Sequence, residues 1–441
     1  MASKKLDRGE VLAAFFDEGV YTELFAAGTV SAAFGSAHGK PVYAVFQNGQ
    51  ALTVTDVDRT IHALRLAAET GNPVVTFYDS PGSRLDEGLE VLKASKEIIT
   101  MISELSGVVP QIAVVLGVCG GTSALAAASS DICIMSREGE LFFTSPFTSA
   151  ALGDKLENAG SADFAVQAGV ASLVADDAAG AAELAAQVAA LMPANNLARS
   201  AGFQFEAPVE PFPAKYNPAA AAASLADQGS MLTLFDDFGP SVVTALATIE
   251  GNAAGIVATG NRLCRNCAAK ISRFVRLCDA FSIPVVTVVA CEEGFPKSSS
   301  EDMAGGIRAA ARLAGTYADA TTSSVVVVAG KAIGPVYTAL SDADLTIAMQ
   351  GCTISAVEPE VAAAVLYKDE LDASDNVAQA AAVKAARYAA EQCSANAALA
   401  AGIADFTADR NTVRSTVVAA LDMIATKRTQ RLPKKHGNMA L

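Results

Sequence analysis

A chain of 441 residues is too long for one ordinary hydrophobic core and fits two domains of roughly 200 residues each. About half of the residues are hydrophobic (51%) and 18% are charged, which is typical of a folded globular protein, and the net charge of -15 argues against a nucleic-acid partner, which needs a concentrated basic surface. No apolar run is long enough to span a bilayer, and the start MASKKLDRGE lacks the apolar centre of a signal peptide, so we expect a cytoplasmic protein.

In chain order, each half of the sequence predicts the same elements: strand, helix, strand, glycine turn, short helix, strand. The apolar runs PVVTF and IAVVL in the first half, and IPVVTVV and SSVVVV in the second, are typical of strands covered on both faces by helices. Between the halves, residues 203–218 hold four prolines within eleven positions, which neither a helix nor a central strand tolerates. The predicted fold class is α/β.

The halves also resemble each other residue by residue. Without gaps, Gly121 aligns with Gly334 and Asp131 with Asp344, at an offset of 213. The aligned segments are 112–135 with 325–348, 64–79 with 275–290, and 39–49 with 251–261. Matches in one order at nearly one spacing indicate an internal duplication. We therefore predict an N-terminal domain over 1–205, a Pro/Ala-rich linker over 206–225 and a C-terminal domain over 226–441.

The cysteines are scattered mostly through apolar segments, which favours reduced core thiols over a disulfide framework. Cys264 and Cys267 form one Cys-x-x-Cys, but a zinc ribbon needs a second such pair. The sequence therefore predicts no metal site.

The glycine turns at 117–123 and 330–337 are the candidate reactive features. At a helix start the first backbone N–H groups lack partners and the helix dipole places partial positive charge there, so such a turn can hold an anion or a carbonyl oxygen that becomes one. A Gly-Gly turn also serves tight packing of helix on strand, and that alternative stays open for a single turn. The motifs GxSxG, GxGxxG and the glycine-lysine loop are absent, and His38, His62 and His436 form no obvious catalytic set.

The polar loop 77–90, FYDSPGSRLDEGLE, allows two interpretations. It could cap the next helix with Asp86 and Glu87, or Gly82 and Arg84 could contact an anionic cofactor. Its counterpart in the second half, 290–298, also ends a strand.

Several motifs together resemble the carboxyltransferase subunits of biotin-dependent acyl-CoA carboxylases and decarboxylases, in particular propionyl-CoA carboxylase beta chains and methylmalonyl-CoA decarboxylase alpha chains. These motifs are, in order, DSPGSRLDEG, SGVVPQIAVVLGVCGGTSALAAASSDICIM, LMPANN, FVRLCDAFSIPVVTVVACEEGF, GKAIGPVY and KRTQRLPKKHG. The resemblance extends over 6–437. It implies two tandem crotonase-like domains and a homo- or hetero-hexamer, with active sites between the N-terminal half of one subunit and the C-terminal half of its partner.

The resemblance also implies a reaction. A carboxyl group would move between N1′ of biotin, held on a separate biotin carboxyl carrier protein, and the α-carbon of a short acyl-CoA such as acetyl- or propionyl-CoA, in either direction. Further implied partners are a biotin carboxylase or a membrane decarboxylase subunit, and no metal is needed. The protein would hold two developing oxyanions with backbone N–H donors.

Carried over position by position, the resemblance implies these roles. The catalytic residues are Gly121, Thr122, Gly334 and Val336; those for acyl-CoA are Gly82, Arg84, Gly120 and Gly121; those for biotin are Gly294, Phe295, Gly334, Pro335 and Tyr337; and Thr338 helps to select the acyl group.

One departure from the family pattern bears on the mechanism, because Pro335 has no N–H to donate. It motivates a second hypothesis, a weakly active or non-catalytic partner subunit. A third is a biotin-independent acyl-CoA enzyme of crotonase type, although a single crotonase unit would suffice for that chemistry.

Overall fold

The computed structural model describes residues 7–25, 28–153, 158–429, 431–434 and 437–438. His436 and part of the tail motif KRTQRLPKKHG lie outside the described residues. The chain forms two compact units, the first made of Met1–Ala201 with Phe235–Phe238, and the second of Gly202–Leu234 with Gly239–Leu441.

The first unit is built on one eight-stranded sheet within the described ranges, ordered β1-β2-β3-β4-β5-β6-β8, with β7 paired to β5. The strands β1 to β3 are antiparallel and the later pairings are parallel. Its strands are β1 Tyr21–Leu24, β2 Val30–Ala37, β3 Lys40–Gln47, β4 Val74–Ser80, β5 Gln111–Gly120, β6 Ile132–Ser136, β7 Glu140–Phe142 and β8 Leu173–Ala175. Its helices are α1 Arg8–Phe15, α2 Val54–Thr70, α3 Gly88–Leu105, α4 Thr122–Ser129, α5 Pro146–Ala151, α6 Ala162–Gln167 and α7 Ala178–Leu191.

The second unit repeats this plan with a sheet ordered β17-β15-β13-β12-β11-β10-β9 and a separate parallel pair, β14 with β16. Its strands are β9 Leu232–Thr233, β10 Val242–Ile249, β11 Asn252–Thr259, β12 Val285–Val289, β13 Ser324–Val328, β14 Lys331–Ile333, β15 Leu345–Met349, β16 Thr353–Ser355 and β17 Phe406–Ala408. Its helices are α8 Pro218–Leu225, α9 Arg265–Ala280, α10 Ser299–Met303, α11 Gly306–Asp319, α12 Pro335–Leu340, α13 Pro359–Leu366, α14 Lys368–Asp372, α15 Val377–Gln392, α16 Ala395–Ala400 and α17 Val413–Ile424. Read from β9, the strand order matches that of the first sheet.

The β2–β3 hairpin and its counterpart β10–β11 are closed by the same kind of hydrogen bonding. The Asp17 carboxylate accepts the N–H groups of His38 and Gly39 at 2.8 Å each, in the turn between β2 and β3. In the turn between β10 and β11, Asp227 accepts the N–H groups of Glu250–Gly251 at 2.9 and 2.8 Å. The predicted duplication is therefore visible in hydrogen bonds as well as in strand order.

The aligned pair Asp131 and Asp344 also has one shared role. Asp131 accepts the N–H of Gln111 at the start of β5 (2.8 Å), and Asp344 accepts that of Ser324 at the start of β13 (2.9 Å). Each thereby satisfies the first backbone donor of a central strand, which is otherwise left without a partner when buried. The sequence match between the halves thus reflects a structural requirement.

Local sequence signals explain how the helices begin and end. Thr53 and Asp56 form a reciprocal capping box at the start of α2, and Gly71 ends it in the left-handed conformation at φ 65°. The strands between such helices are apolar on both faces; β6, β12 and β13 are buried at every position. This is the covering by helices that the continuous apolar runs predict.

The segment 206–225, expected as a linker, belongs to the second unit. Its last part forms α8, which begins at Pro218 after the Asn217 cap. The side chains of Ala221, Ala222 and Leu225 are fully buried in the core of that unit. Alanine content alone did not reveal that one helix face packs against the sheet.

None of the described helices combines the length and the apolar character needed to cross a membrane.

Candidate active site

The first glycine turn joins β5 to α4. Gly121 precedes the helix with φ 58° and ψ −122°, a conformation that residues with a side chain rarely adopt. Its own N–H donates to the Phe142 carbonyl at 3.0 Å. In the described part of the chain, the N–H groups of Thr122 and Ser123 have no acceptor. The turn therefore presents two unpartnered donors at the positive end of a helix.

Close packing requires glycine on the strand side of this turn. A Cβ atom at Gly117 would lie 2.2 Å from Oδ1 of Asp79, which accepts the Val118 N–H at 3.1 Å. Burial raises the pKa of that carboxyl group. A Cβ atom at Gly120 would lie 3.1 Å from the Pro81 carbonyl oxygen, whereas one at Gly121 would meet open space.

The structure brings Gly82 together with Thr122 and Ser123 around one small cavity of about 20 Å³. Gly82 itself is held by its neighbours: the Leu52 N–H donates to the Gly82 carbonyl at 2.8 Å. The cavity is lined further by Gln47, Leu52, Thr60, Tyr78, Ser83, Ser95, Ile98 and Ala126. Its one ionisable lining side chain is Tyr78, whose pKa is raised by burial.

Arg84 lies in the same loop but is exposed and paired. Its guanidinium donates to both carboxylate oxygens of Asp86, at 2.7 and 2.6 Å. Glu87 accepts the N–H of Val54, at the start of α2, at 2.6 Å. The loop therefore caps the preceding helix α2, and α3 has no side-chain cap; the prediction that it caps the next helix is wrong.

The second glycine turn precedes α12 and repeats the backbone of the first. Gly334 has φ 51° and ψ −116°, and its N–H donates to the Ser355 carbonyl at 2.8 Å. Pro335 occupies the first helical position, which suits its fixed φ. Among the residues described, the N–H groups of Val336 and Tyr337 have no acceptor.

Beside this turn lies a pocket of about 260 Å³ that brings Phe295 and Pro335 together. Its walls are largely apolar. They are completed by Leu263, Cys264, Arg265, Ala268, Pro296, Glu301, Asp302, Gly306, Ile307 and Ala310. Gly294 precedes the lining residue Phe295, and a Cβ atom at Gly294 would lie 3.7 Å from Cγ2 of Val336 in the turn.

The two turns differ in one backbone donor. Gly121 corresponds to Gly334, so Thr122 corresponds to Pro335 and Ser123 to Val336. The first turn has an N–H at the first helical position and the second turn has none there. Thr338 lies one residue beyond Tyr337, is exposed, and its hydroxyl donates to the Gly334 carbonyl at 3.2 Å.

Sequence reasoning expected N–H donors at Gly121 and Gly334, but both groups are already engaged by neighbouring strands. It missed Ser123, whose N–H is unpartnered, and the wall residues Ser83 and Ser95 of the first cavity. The helix start at Thr122 could have indicated Ser123, since the N–H groups of the first turn of any helix have no partner within that helix. No cluster of three or more His, Cys, Asp or Glu suited to a metal ion occurs in the described ranges.

Two sheets of matching strand order, each with a glycine turn at a helix start, give the chain an α/β fold of two repeated units. Residues 7–439 match the carboxyl transferase domain family, and the chain belongs to it. The predicted family, enzyme class and α/β fold of two tandem crotonase-like halves are thereby confirmed.

Two curated relatives and one solved structure show which members of this family the chain is similar to. The chain is 30% identical to the methylmalonyl-CoA carboxyltransferase 12S subunit of Propionibacterium freudenreichii subsp. shermanii, over 92% of this chain and 82% of that protein. It is 26% identical to the methylmalonyl-CoA decarboxylase subunit alpha of Propionigenium modestum, over 100% and 94%. A crystal structure of transcarboxylase 12S, a hexamer with methylmalonyl-coenzyme A and methylmalonic acid bound, superposes with a TM-score of 0.91 at 28% identity, covering 98% of this chain and 92% of that one.

Proposed function

We propose that this protein moves a carboxyl group between biotin on a separate carrier protein and the α-carbon of a short acyl-CoA. The proposal depends on one observation: two equivalent turns each present unpartnered backbone N–H groups at a helix start. Both relatives described above act on methylmalonyl-CoA according to their names, so propionyl-CoA with methylmalonyl-CoA is the first pair to test.

The first turn suits the thioester. Removal of the α-proton or of the carboxyl group places negative charge on the thioester oxygen, and fixed N–H donors stabilise that charge more than they stabilise the neutral carbonyl. Thr122 and Ser123 are the proposed donors, and Gly121 shapes the turn. Gly120 and Gly82 allow close approach of the substrate to this backbone.

The second turn suits the ureido oxygen of biotin. The apolar walls at Phe295 and Pro335 fit the carbon and sulfur face of a fused ring, while Val336 and Tyr337 supply unpartnered N–H groups in the same turn. When bound, biotin carries the carboxyl group and supplies a ureido nitrogen able to take the α-proton. The chain's own task there is to hold one oxygen and exclude water.

The lining of the first cavity agrees with a reaction that needs no side-chain base. Its single ionisable member, Tyr78, is a neutral phenol over the ordinary pH range because burial raises its pKa. Asp79 is nearby, but its carboxylate accepts the Val118 N–H and is therefore committed to the strand. Exposed Arg84, in the loop that lines the cavity, is the proposed contact for the phosphates of coenzyme A.

We further propose a hexamer that works with a biotin carboxyl carrier protein, together with a biotin carboxylase or a membrane decarboxylase subunit. The hexamer of the related 12S structure supports the first part. In this proposal Thr338, exposed on α12, contributes to acyl selection.

Carboxyl exchange tests the proposed function. Methylmalonyl-CoA with an isotopic label in its free carboxyl group is incubated with the protein and a biotinylated carrier domain, and label on the carrier is counted after gel filtration. We expect transfer that needs both the protein and biotin. Consumption of methylmalonyl-CoA at one rate with and without biotin would instead indicate a biotin-independent enzyme, and no transfer with any short acyl-CoA would contradict the proposal.

A weakly active partner subunit is a second candidate, favoured by Pro335. With Gly334 engaged and Pro335 lacking an N–H, the biotin-side turn has no donor at the first helical position, where the acyl-CoA side has that of Thr122. The loss of one oxyanion donor typically costs about 10²- to 10³-fold in rate. In Pro335→Gly, a large gain in exchange favours the second candidate, and a loss indicates that the turn already works as built.

A further inference from the structure

Cys264 and Cys267 lie at the start of α9, outside both glycine turns. Cys264 is the residue before the helix, with extended backbone at φ −76° and ψ 170°, and its sulfur accepts the N–H of Cys267 at 3.3 Å. The two sulfur atoms are 2.8 Å apart, and both are free thiols. The pair thus has the spacing and the helix-start position at which one thiol is readily ionised.

The two thiols differ in ionisation. The Cys267 thiol donates to the Cys264 sulfur, and this bond, with the N–H groups of Cys267 and Asn266, lowers the pKa of Cys264 to about 6 in spite of its burial and the nearby Glu301. The same bond and burial raise the pKa of Cys267, whose sulfur also contacts Oγ of Ser241 at 3.1 Å. Cys264 therefore ionises at lower pH than Cys267.

The two thiols also differ in access. Cys264 is partly exposed and lines the 260 Å³ pocket, whereas Cys267 is fully buried. Charged side chains border the pocket on two elements, with Arg265 on α9 and Glu301 and Asp302 on α10. Cys264 is therefore the member of the pair that borders the pocket, and the buried Cys267 sulfur lies 2.8 Å from its sulfur.

We propose that Cys264 and Cys267 form a thiol–disulfide exchange site that reacts with low-molecular-weight disulfides. The Cys264 thiolate attacks one sulfur of RSSR, forms a mixed disulfide and releases RS⁻. Cys267 then loses its proton to solvent and attacks the Cys264 sulfur, which releases the second RS⁻ and closes a Cys264–Cys267 disulfide. Overall two protein thiols are oxidised, RSSR is reduced to two RSH, and the reverse reaction restores the pair. This site does not depend on carboxyl transfer, because its product is a covalent bond between two sulfurs.

Oxidised glutathione tests the proposal on the full-length chain. Trypsin cuts after Arg262, Arg265 and Lys270, so a Cys264–Cys267 disulfide joins two otherwise separate peptides that mass spectrometry identifies. We expect this joined pair in the oxidised wild type and its loss on reduction. In Cys267→Ser, which lacks the second thiol, we expect glutathione to stay on Cys264, modified at least about 10-fold faster than any other cysteine.

In Cys264→Ser we expect no glutathione on Cys267, because Cys267 is buried. Cys352→Ser is the matched control: it removes a different buried thiol of the same unit and should form the joined peptides as wild type does. Alkylation of Cys264 in the wild type should rise with pH through about 6, because the reactive thiolate forms above its pKa. If folded wild type yields no joined peptides and its Cys264 reacts no faster than the buried cysteines, the proposal is wrong. The wild-type measurement decides this even if a variant fails to fold.

Discussion

The substitution Thr122→Pro tests the role of one backbone N–H with little other change. Proline at this position removes the first donor of α4, and the protein already accommodates proline in an equivalent turn. Gly121 has φ 58° and ψ −122°, and Gly334, which precedes Pro335, has φ 51° and ψ −116°. The bond from the Gly121 N–H to Phe142 does not involve the Thr122 nitrogen, so the turn should persist.

We expect Thr122→Pro to lower the exchange rate by about 10²- to 10³-fold, which corresponds to about 3–4 kcal/mol of transition-state stabilisation. The assay is carboxyl exchange at saturating methylmalonyl-CoA, with urea unfolding to check the fold. Thr122→Ala is the matched control, because it removes the side chain and keeps the N–H; it should stay within about 2-fold of wild type. If the folded Thr122→Pro protein is as active as Thr122→Ala, the Thr122 N–H is not a donor to the reacting oxygen.

Two further predictions concern binding and stability. Arg84→Ala should raise the KM for acyl-CoA by about 5- to 10-fold with kcat nearly unchanged, since an exposed cation that binds phosphate stabilises the bound substrate and the transition state equally. Initial-rate kinetics check this prediction. A fall in kcat at constant KM would contradict it. Asp227→Ala should destabilise the second unit by about 3–5 kcal/mol. It removes a buried carboxylate that accepts from Arg414 at 2.8 Å and from the N–H groups of Glu250–Gly251, and among the described residues it leaves Arg414 only a 3.7 Å ion pair with Glu250. Asp17→Ala, at the corresponding exposed hairpin, should cost only about 1 kcal/mol; equal losses in urea unfolding would refute this distinction.

Much of the fold could be predicted from the sequence, because local patterns indicate the strands and the same patterns occur in both halves of the chain. The continuous apolar runs required strands covered on both faces, and the alignment of Asp131 with Asp344 pointed to a repeated role that the structure shows as a strand cap. The packing of the segment 206–225, predicted as a linker, could not be predicted in this way. Composition marks prolines as breakers, but only tertiary contacts show that α8 packs Ala221 and Leu225 into a core.

The candidate site was predictable in position and less so in detail. Glycine turns repeated at helix starts identified where oxygen atoms could be held. Which N–H groups are free depends on long-range pairing, because the Gly121 and Gly334 donors are taken by strand residues Phe142 and Ser355 that lie about 20 residues further along the chain. Likewise, the asymmetry between Cys264 and Cys267 follows from burial and one sulfur contact, which spacing alone does not give.

The most direct test of the account measures carboxyl exchange side by side in wild type, Thr122→Pro and Pro335→Gly. Its central claim is that backbone N–H groups stabilise the negative charge that develops on the reacting oxygen atoms. If each turn holds one oxyanion, the first variant loses a donor and the second gains one. The account predicts that exchange in Thr122→Pro falls about 10²-fold or more below wild type. It also predicts that Pro335→Gly departs from wild type, by a gain if the missing N–H limits the biotin-side turn and by a loss if that turn already works as built. Equal rates in the three folded proteins would contradict it.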